Sequence, residues 1–215
     1  MESVVKYFLL VLLFLIAACE QQQAPVSAEK AASEGPAYGD TFIEASIGEP
    51  SNLLPVLSSD SASSDINQQV YNGLIRYDKN LKLEGELAES WEISEDNLTI
   101  TFYLRKGVKW HDGHPFTSAD VMFTYQMYIN PEVPTSYAED FLQVAKAEIV
   151  DDYTFRVTYE EPYAPALESW GTPIHPKHLL EGQDVTKSPL SRSPIGTGPY
   201  KFVKWDAGEK VELLA

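Results

Sequence analysis

Cysteine is nearly absent: the 215 residues contain one, Cys19. No disulfide can form within the chain. Bases are scarce too. Sixteen lysines and arginines stand against 32 acids, giving a net charge of −16. Nucleic acid and an anionic membrane surface are therefore poor partners. No apolar run is long enough to span a bilayer, which takes ~20 residues. No internal repeat is visible. The signatures G-x-S-x-G, H-E-x-x-H and G-x-x-x-x-G-K-[ST] are all missing, so no catalytic residue is assigned and no enzyme is expected.

What is present begins with Lys6 and the apolar residues 7–18, about a dozen in all, which fit the h-region of a secretory signal. They end in Leu15-Ile16-Ala17-Ala18-Cys19, which resembles the bacterial lipobox. The lone cysteine stands where that motif needs its thiol, so Cys19 is the expected lipid attachment site. Lipid chains contribute ~0.8 kcal/mol per buried methylene, and two or more hold a protein on a membrane. Residues 20–39 are rich in Gln, Ala, Ser, Glu and Pro without apolar periodicity, and read as a disordered tether.

The remainder has the 44% hydrophobic content of a globular chain. Residues 40–46 read as a first strand and 58–64 as a polar loop. Ile66, Val70 and Leu74 are spaced for a short helix over 66–74. Leu98, Ile100, Phe102 and Leu104 alternate with Thr99, Thr101 and Tyr103, the mark of a half-buried strand. A shorter strand at Trp91-Glu92-Ile93 precedes it, with Glu95-Asp96-Asn97 as the hairpin loop. Thr117-Ser118-Ala119-Asp120 matches a capping box, and the helix it opens stops at Asn130-Pro131. Helices are also expected over 136–145 and 162–170. Hairpins are expected around Asp151-Asp152 and around Asp206-Ala207-Gly208.

Two histidine pairs, His111/His114 and His175/His178, have three-residue spacing. The first lies in a turn and the second starts a helix, so neither is assigned to a metal. Asp151-Asp152 and Glu160-Glu161 read as solvated turns, because adjacent acids in a hairpin point to opposite sides.

Ala88-Glu89-Ser90-Trp91, residues 102–107, Trp110, Asp112-Gly113, Pro115 and residues 117–121 together resemble the family 5 extracellular solute-binding proteins. Ser193-Pro194-Ile195-Gly196-Thr197-Gly198-Pro199-Tyr200 resembles that family's N-P-x-G-T-G-P-Y loop. Tyr71-Asn72-Gly73-Leu74 and Pro176-Lys177-His178-Leu179 match further family segments, over roughly residues 40–215. The resemblance implies a mixed α/β fold, the two-lobed periplasmic binding protein type. It places a signal peptide at 1–18, a lipidated tether at 19–39 and the start of lobe I at 40–57. An inserted subdomain then occupies 58–168, and a truncated return to lobe I occupies 169–215.

It further implies capture of a small solute, peptide first, outside the cytoplasmic membrane, on a lipid anchor, with delivery to ABC permease subunits and no cofactor. Ser59, Asp60 and Ser61 resemble the segment lining the family's cleft, and Tyr137 an aromatic that reaches it. An extended ligand could pair its backbone there, as an added strand does. The family's second lobe has no counterpart in the chain, which is expected to be a fragment. The alternative reading is a short lipoprotein acting as a structural or partner-binding module.

Overall fold

A computed structural model describes residues 41–215. The expected signal, Cys19 and the tether therefore lie outside the described residues. Ala45–Ala215 form one unit. Its helices are α1 (Ser61–Val70), α2 (Ser118–Tyr128), α3 (Ala138–Leu142) and α4 (Lys177–Leu180). Its strands are β1 (Ile75–Tyr77), β2 (Leu83–Gly85), β3 (Ala88–Ile93), β4 (Thr99–Leu104), β5 (Val144–Asp151), β6 (Thr154–Tyr159), β7 (Lys201–Asp206) and β8 (Lys210–Leu214). Among the described residues they make a four-stranded antiparallel sheet in the order β3-β4-β6-β5 and two separate hairpins, β1-β2 and β7-β8.

The alternation in β4 does what its period requires. Ile100, Phe102 and Leu104 are buried, and Phe102 faces Trp91 on one side and Phe155 on the other. Phe155, Val157 and Tyr159 bury the same face of β6. The β3-β4 turn uses Asn97 at φ 58, a left-handed angle that asparagine tolerates. Trp170, 1% exposed, closes this core. Its ring meets Phe102 and Phe155 from the sheet, Tyr125 from α2 and Phe141 from α3, at 5.2–6.4 Å between centroids. Its indole N–H donates to Tyr159 Oη at 3.2 Å, and that hydroxyl donates to the Ala166 carbonyl at 3.1 Å.

The expected capping box is complete. Thr117 Oγ1 accepts from Ala119 N–H, and Asp120 Oδ2 accepts from Thr117 N–H at 2.9 Å. Asp120 Oδ1 also accepts from Lys177 N–H at 3.1 Å, so one carboxylate joins the starts of α2 and α4.

Several expected elements differ. Residues 41–46 form no strand, because no described strand pairs with them. Helix α1 starts at Ser61, inside the expected polar loop, because Asp60 caps it; it ends at Val70, where Tyr71 turns extended. The expected helix over 136–145 shrinks to α3, since Val144 is taken by pairing with Tyr159. In place of the helix expected over 162–170, residues 164–167 form turns before a 3-10 turn at Glu168–Gly171, with Pro165 accepting hydrogen bonds from Ser169.

The Gly-Thr-Gly loop lies against the end of α1. Gly198 N–H donates to the Val70 carbonyl at 2.8 Å and Tyr200 N–H to that of Gln69 at 3.0 Å. A Cβ on Gly196 would stand 1.8 Å from the Val70 oxygen, whereas one on Gly48 would meet nothing within 4 Å. Gly196→Ala should therefore cost several kcal/mol, by the ~1–3 kcal/mol typical of overpacking or more. Gly48→Ala should leave stability within ~0.5 kcal/mol. Urea denaturation of the two variants checks the contrast.

Candidate functional site

The segment before α1 is held by one carboxylate. Asp60 is the N-cap: its Oδ1 accepts from Ser63 N–H at 2.8 Å and its Oδ2 from Ser63 Oγ at 2.7 Å. Ser51 Oγ and N–H also donate to Oδ2, which ties the loop after residue 48 to the helix start. Burial works against the ionised form of Asp60, but the hydrogen bonds from Ser51 and Ser63 overcome it and lower the pKa to about 2. The carboxylate is thus turned into the protein, with its lone pairs committed to the chain.

Its neighbours differ. Ser59 and Ser61 are exposed, Ser61 as the first residue of α1, and no side-chain bond engages either hydroxyl. The segment's base is a polar cluster in the core. Asn67 Nδ2 donates to Ser58 Oγ at 3.1 Å, and Val56 N–H donates to His175 Nε2 at 3.2 Å. His175 is fully buried, and burial pushes its pKa down to about 3 despite the Pro173 carbonyl. It is a neutral acceptor at Nε2. Tyr137 is half-buried and packs edge-on against Tyr128, with centroids 6.2 Å apart at 88°. Tyr128 packs in turn on His175 at 5.8 Å. The two candidate segments, 77 or so positions apart in sequence order, therefore rest on one buried cluster; Tyr128 and His175 were not singled out as its members by their sequence context.

Of the other histidines, His111 and His114 lie in turns and His178 in α4. Gly196 N–H donates to His111 Nδ1 at 3.3 Å, leaving Nε2–H to donate to the Gly198 carbonyl at 2.9 Å. Burial lowers the His111 pKa. His114 stacks on His178 at 4.0 Å, and His178 Nε2 lies 2.8 Å from Asp112 Oδ2. Among the described residues no group of three or more His, Cys, Asp or Glu is placed to hold a metal ion. No helix among them is long and apolar enough to cross a membrane.

Residues 82–215 match the family model described as bacterial extracellular solute-binding proteins, family 5 Middle. The chain belongs to that family. It is 33% identical over 215 residues to the oligopeptide-binding protein AppA of Bacillus subtilis, covering 96% of this chain and 39% of that one. It is 34% identical to the glutathione-binding protein GsiB of Pectobacterium atrosepticum, covering 82% of this chain and 33% of that one. Among solved structures, NikZ of Campylobacter jejuni in complex with Ni(L-His) superposes with a TM-score of 0.73 at 38% identity, over 78% of this chain and 34% of NikZ. AppA in complex with a nonapeptide gives 0.73 at 30% identity, over 79% of this chain and 35% of AppA. The chain thus spans about two fifths or less of these family members' length. The mixed α/β fold is that of the family 5 periplasmic binding proteins, over part of a lobe. Family members are solute-binding proteins rather than enzymes.

Two measurements follow from the site. Asp60→Ala removes a helix cap and should cost about 1 kcal/mol at pH 7. With its folded pKa at about 2, below the ordinary carboxylate value, Asp60 stabilises the fold above that ordinary value and loses the contribution as pH falls through 2. The penalty of Asp60→Ala should therefore shrink toward zero in that range, as read by denaturant titration. His175 behaves differently. Its pKa is about 3 folded and 6.5 ordinarily, so between those values the unfolded chain takes up the proton more readily. Its stabilising contribution is complete above pH 6.5 and declines as pH falls, by up to ~1.4 kcal/mol per pH unit. His175→Gln should flatten stability between pH 6.5 and 4.5.

Proposed function

We propose that this chain belongs to the substrate-binding component of an ABC importer. It captures peptide outside the cytoplasmic membrane and delivers it to the permease subunits. The likeness to AppA carries the reading: it extends over 96% of the chain in sequence and over 79% in the structure of AppA with a nonapeptide. The chemistry of the candidate segments supports it. Ser59 and Ser61 offer exposed hydroxyls, and Tyr137 offers a half-buried ring. An extended peptide presents alternating amide and carbonyl groups that such a segment can pair, as β-augmentation does. Asp60 enters this reading as the residue that shapes the segment, because its carboxylate is committed to Ser51 and Ser63.

The same reading assigns residues 40–57 and 169–215 to lobe I and 58–168 to its inserted subdomain. It also assigns Cys19 to a lipid anchor that keeps the protein at the outer face of the membrane. The chain itself carries out no catalysis in this role.

Native mass spectrometry of the protein purified from its own cells tests both parts. The expected result is a co-purified small mass in the peptide range, released on denaturation, and a protein mass increased by lipid. Cys19→Ser should remove the lipid increment and shift the protein into the soluble fraction. A mass matching a nickel chelate would replace peptide as the solute. A ligand-free protein that binds no peptide by calorimetry would favour the partner-binding module.

A further inference from the structure

Residues 59–61 and Tyr137 are backed by one stripe of α2. Thr124 and Tyr128 are four residues apart, so they share a face of the helix, and both are buried. Thr124 Oγ1 accepts from the backbone N–H of His175 at 2.9 Å. That bond fixes where His175 stands. Its Nε2 then accepts from Val56 N–H, 119 positions earlier in the chain. Val56 belongs to the 3-10 turn Pro55–Leu57, which leads directly into residues 58–61. One helical turn beyond Thr124, Tyr128 meets both His175 and Tyr137 edge-on.

We propose that His175, held by Thr124, is a positioning residue that sets the place of residues 59–61 relative to Tyr137. The inference rests on the peptide-binding reading of those residues. The side chain suits the task because a neutral imidazole is a flat, rigid group with one acceptor. With Nε2 accepting, the proton resides on Nδ1. An imidazolium or an aliphatic side chain would leave the Val56 N–H without an acceptor in the core. A glutamine would supply a carbonyl in its place.

Hydrogen exchange and calorimetry on the same variants decide the matter. Thr124→Val removes the acceptor for His175 N–H at nearly constant shape, and Thr124→Ser restores it. In Thr124→Val the amides of Val56, Leu57 and Ser58, which are hydrogen-bonded in the wild type, should exchange about tenfold faster, with the β3–β6 sheet unchanged. Affinity for tri- and penta-alanine should fall by a comparable factor, and Thr124→Ser should match the wild type in both. Equal exchange at residues 56–58 in the Val and Ser variants would overturn the proposal. So would faster exchange with undiminished peptide affinity. If the wild-type protein binds neither peptide, the peptide-binding reading fails, and the exchange comparison alone decides whether the tie through His175 exists.

Discussion

An indole has a large apolar body and one N–H that must find a partner in a dry core. Trp170 meets both demands and thereby joins segments that are far apart in the chain. Its ring fills the space between β4, β6, α2 and α3, while its N–H reaches Tyr159. Its own carbonyl accepts from Leu74 N–H at 2.8 Å, so the same residue also ties down the approach to β1. The next residue allows no side chain opposite it. A Cβ on Gly73 would lie 2.4 Å from the Gly171 oxygen. The Gly-Thr-Gly loop repeats this backbone-on-backbone contact at the end of α1, and Thr197 Oγ1 adds a bond to Asn72 Oδ1 at 3.0 Å.

Around this apolar centre the fold buries several polar groups, each with a specific partner set. Glu86 accepts from Asn72 Nδ2 at 2.7 Å and from Gly73 N–H at 2.8 Å; burial still raises its pKa. Asp120 serves two helix starts and is likewise raised by burial. Such groups contribute little net stability while paired, but leaving one partner unpaired costs the full desolvation of the other. They act mainly as constraints on which segments can lie together.

How much of this was legible in the sequence follows from the range of the interactions involved. The β3-β4 hairpin and the capped helix α2 depend on neighbours, on alternation and on Thr117 and Asp120, and both are legible in the sequence. The start of α1 is not. Its first turn is Ser61, Ala62, Ser63 and Ser64, and small residues leave no apolar periodicity even though Ala62 and Ser63 are buried. In the sequence Asp60 belongs to a segment that resembles the lining of the family's cleft, whereas its partners Ser51 and Ser63 show that it caps a helix. The 41–46 stretch has strand-like composition, but a strand exists only with a partner beside it. In the sequence His175 is one of a spaced pair with His178. Its contacts are with Val56 and Thr124, 119 and 51 positions away, and no local pattern encodes a pairing of that span.

Among the described residues the four-stranded sheet has two border strands, β3 and β5, and neither is regular. The pairing of β3 slips between Ala88 and Ser90, and that of β5 slips between Val144 and Lys146 and again between Ile149 and Asp151. A bulge twists the strand and interrupts its even row of amides and carbonyls. A second molecule arriving edge to edge would find its hydrogen bonds out of step after a few residues. Where copies of this domain come together, the irregularity of these margins works against their zipping into one another.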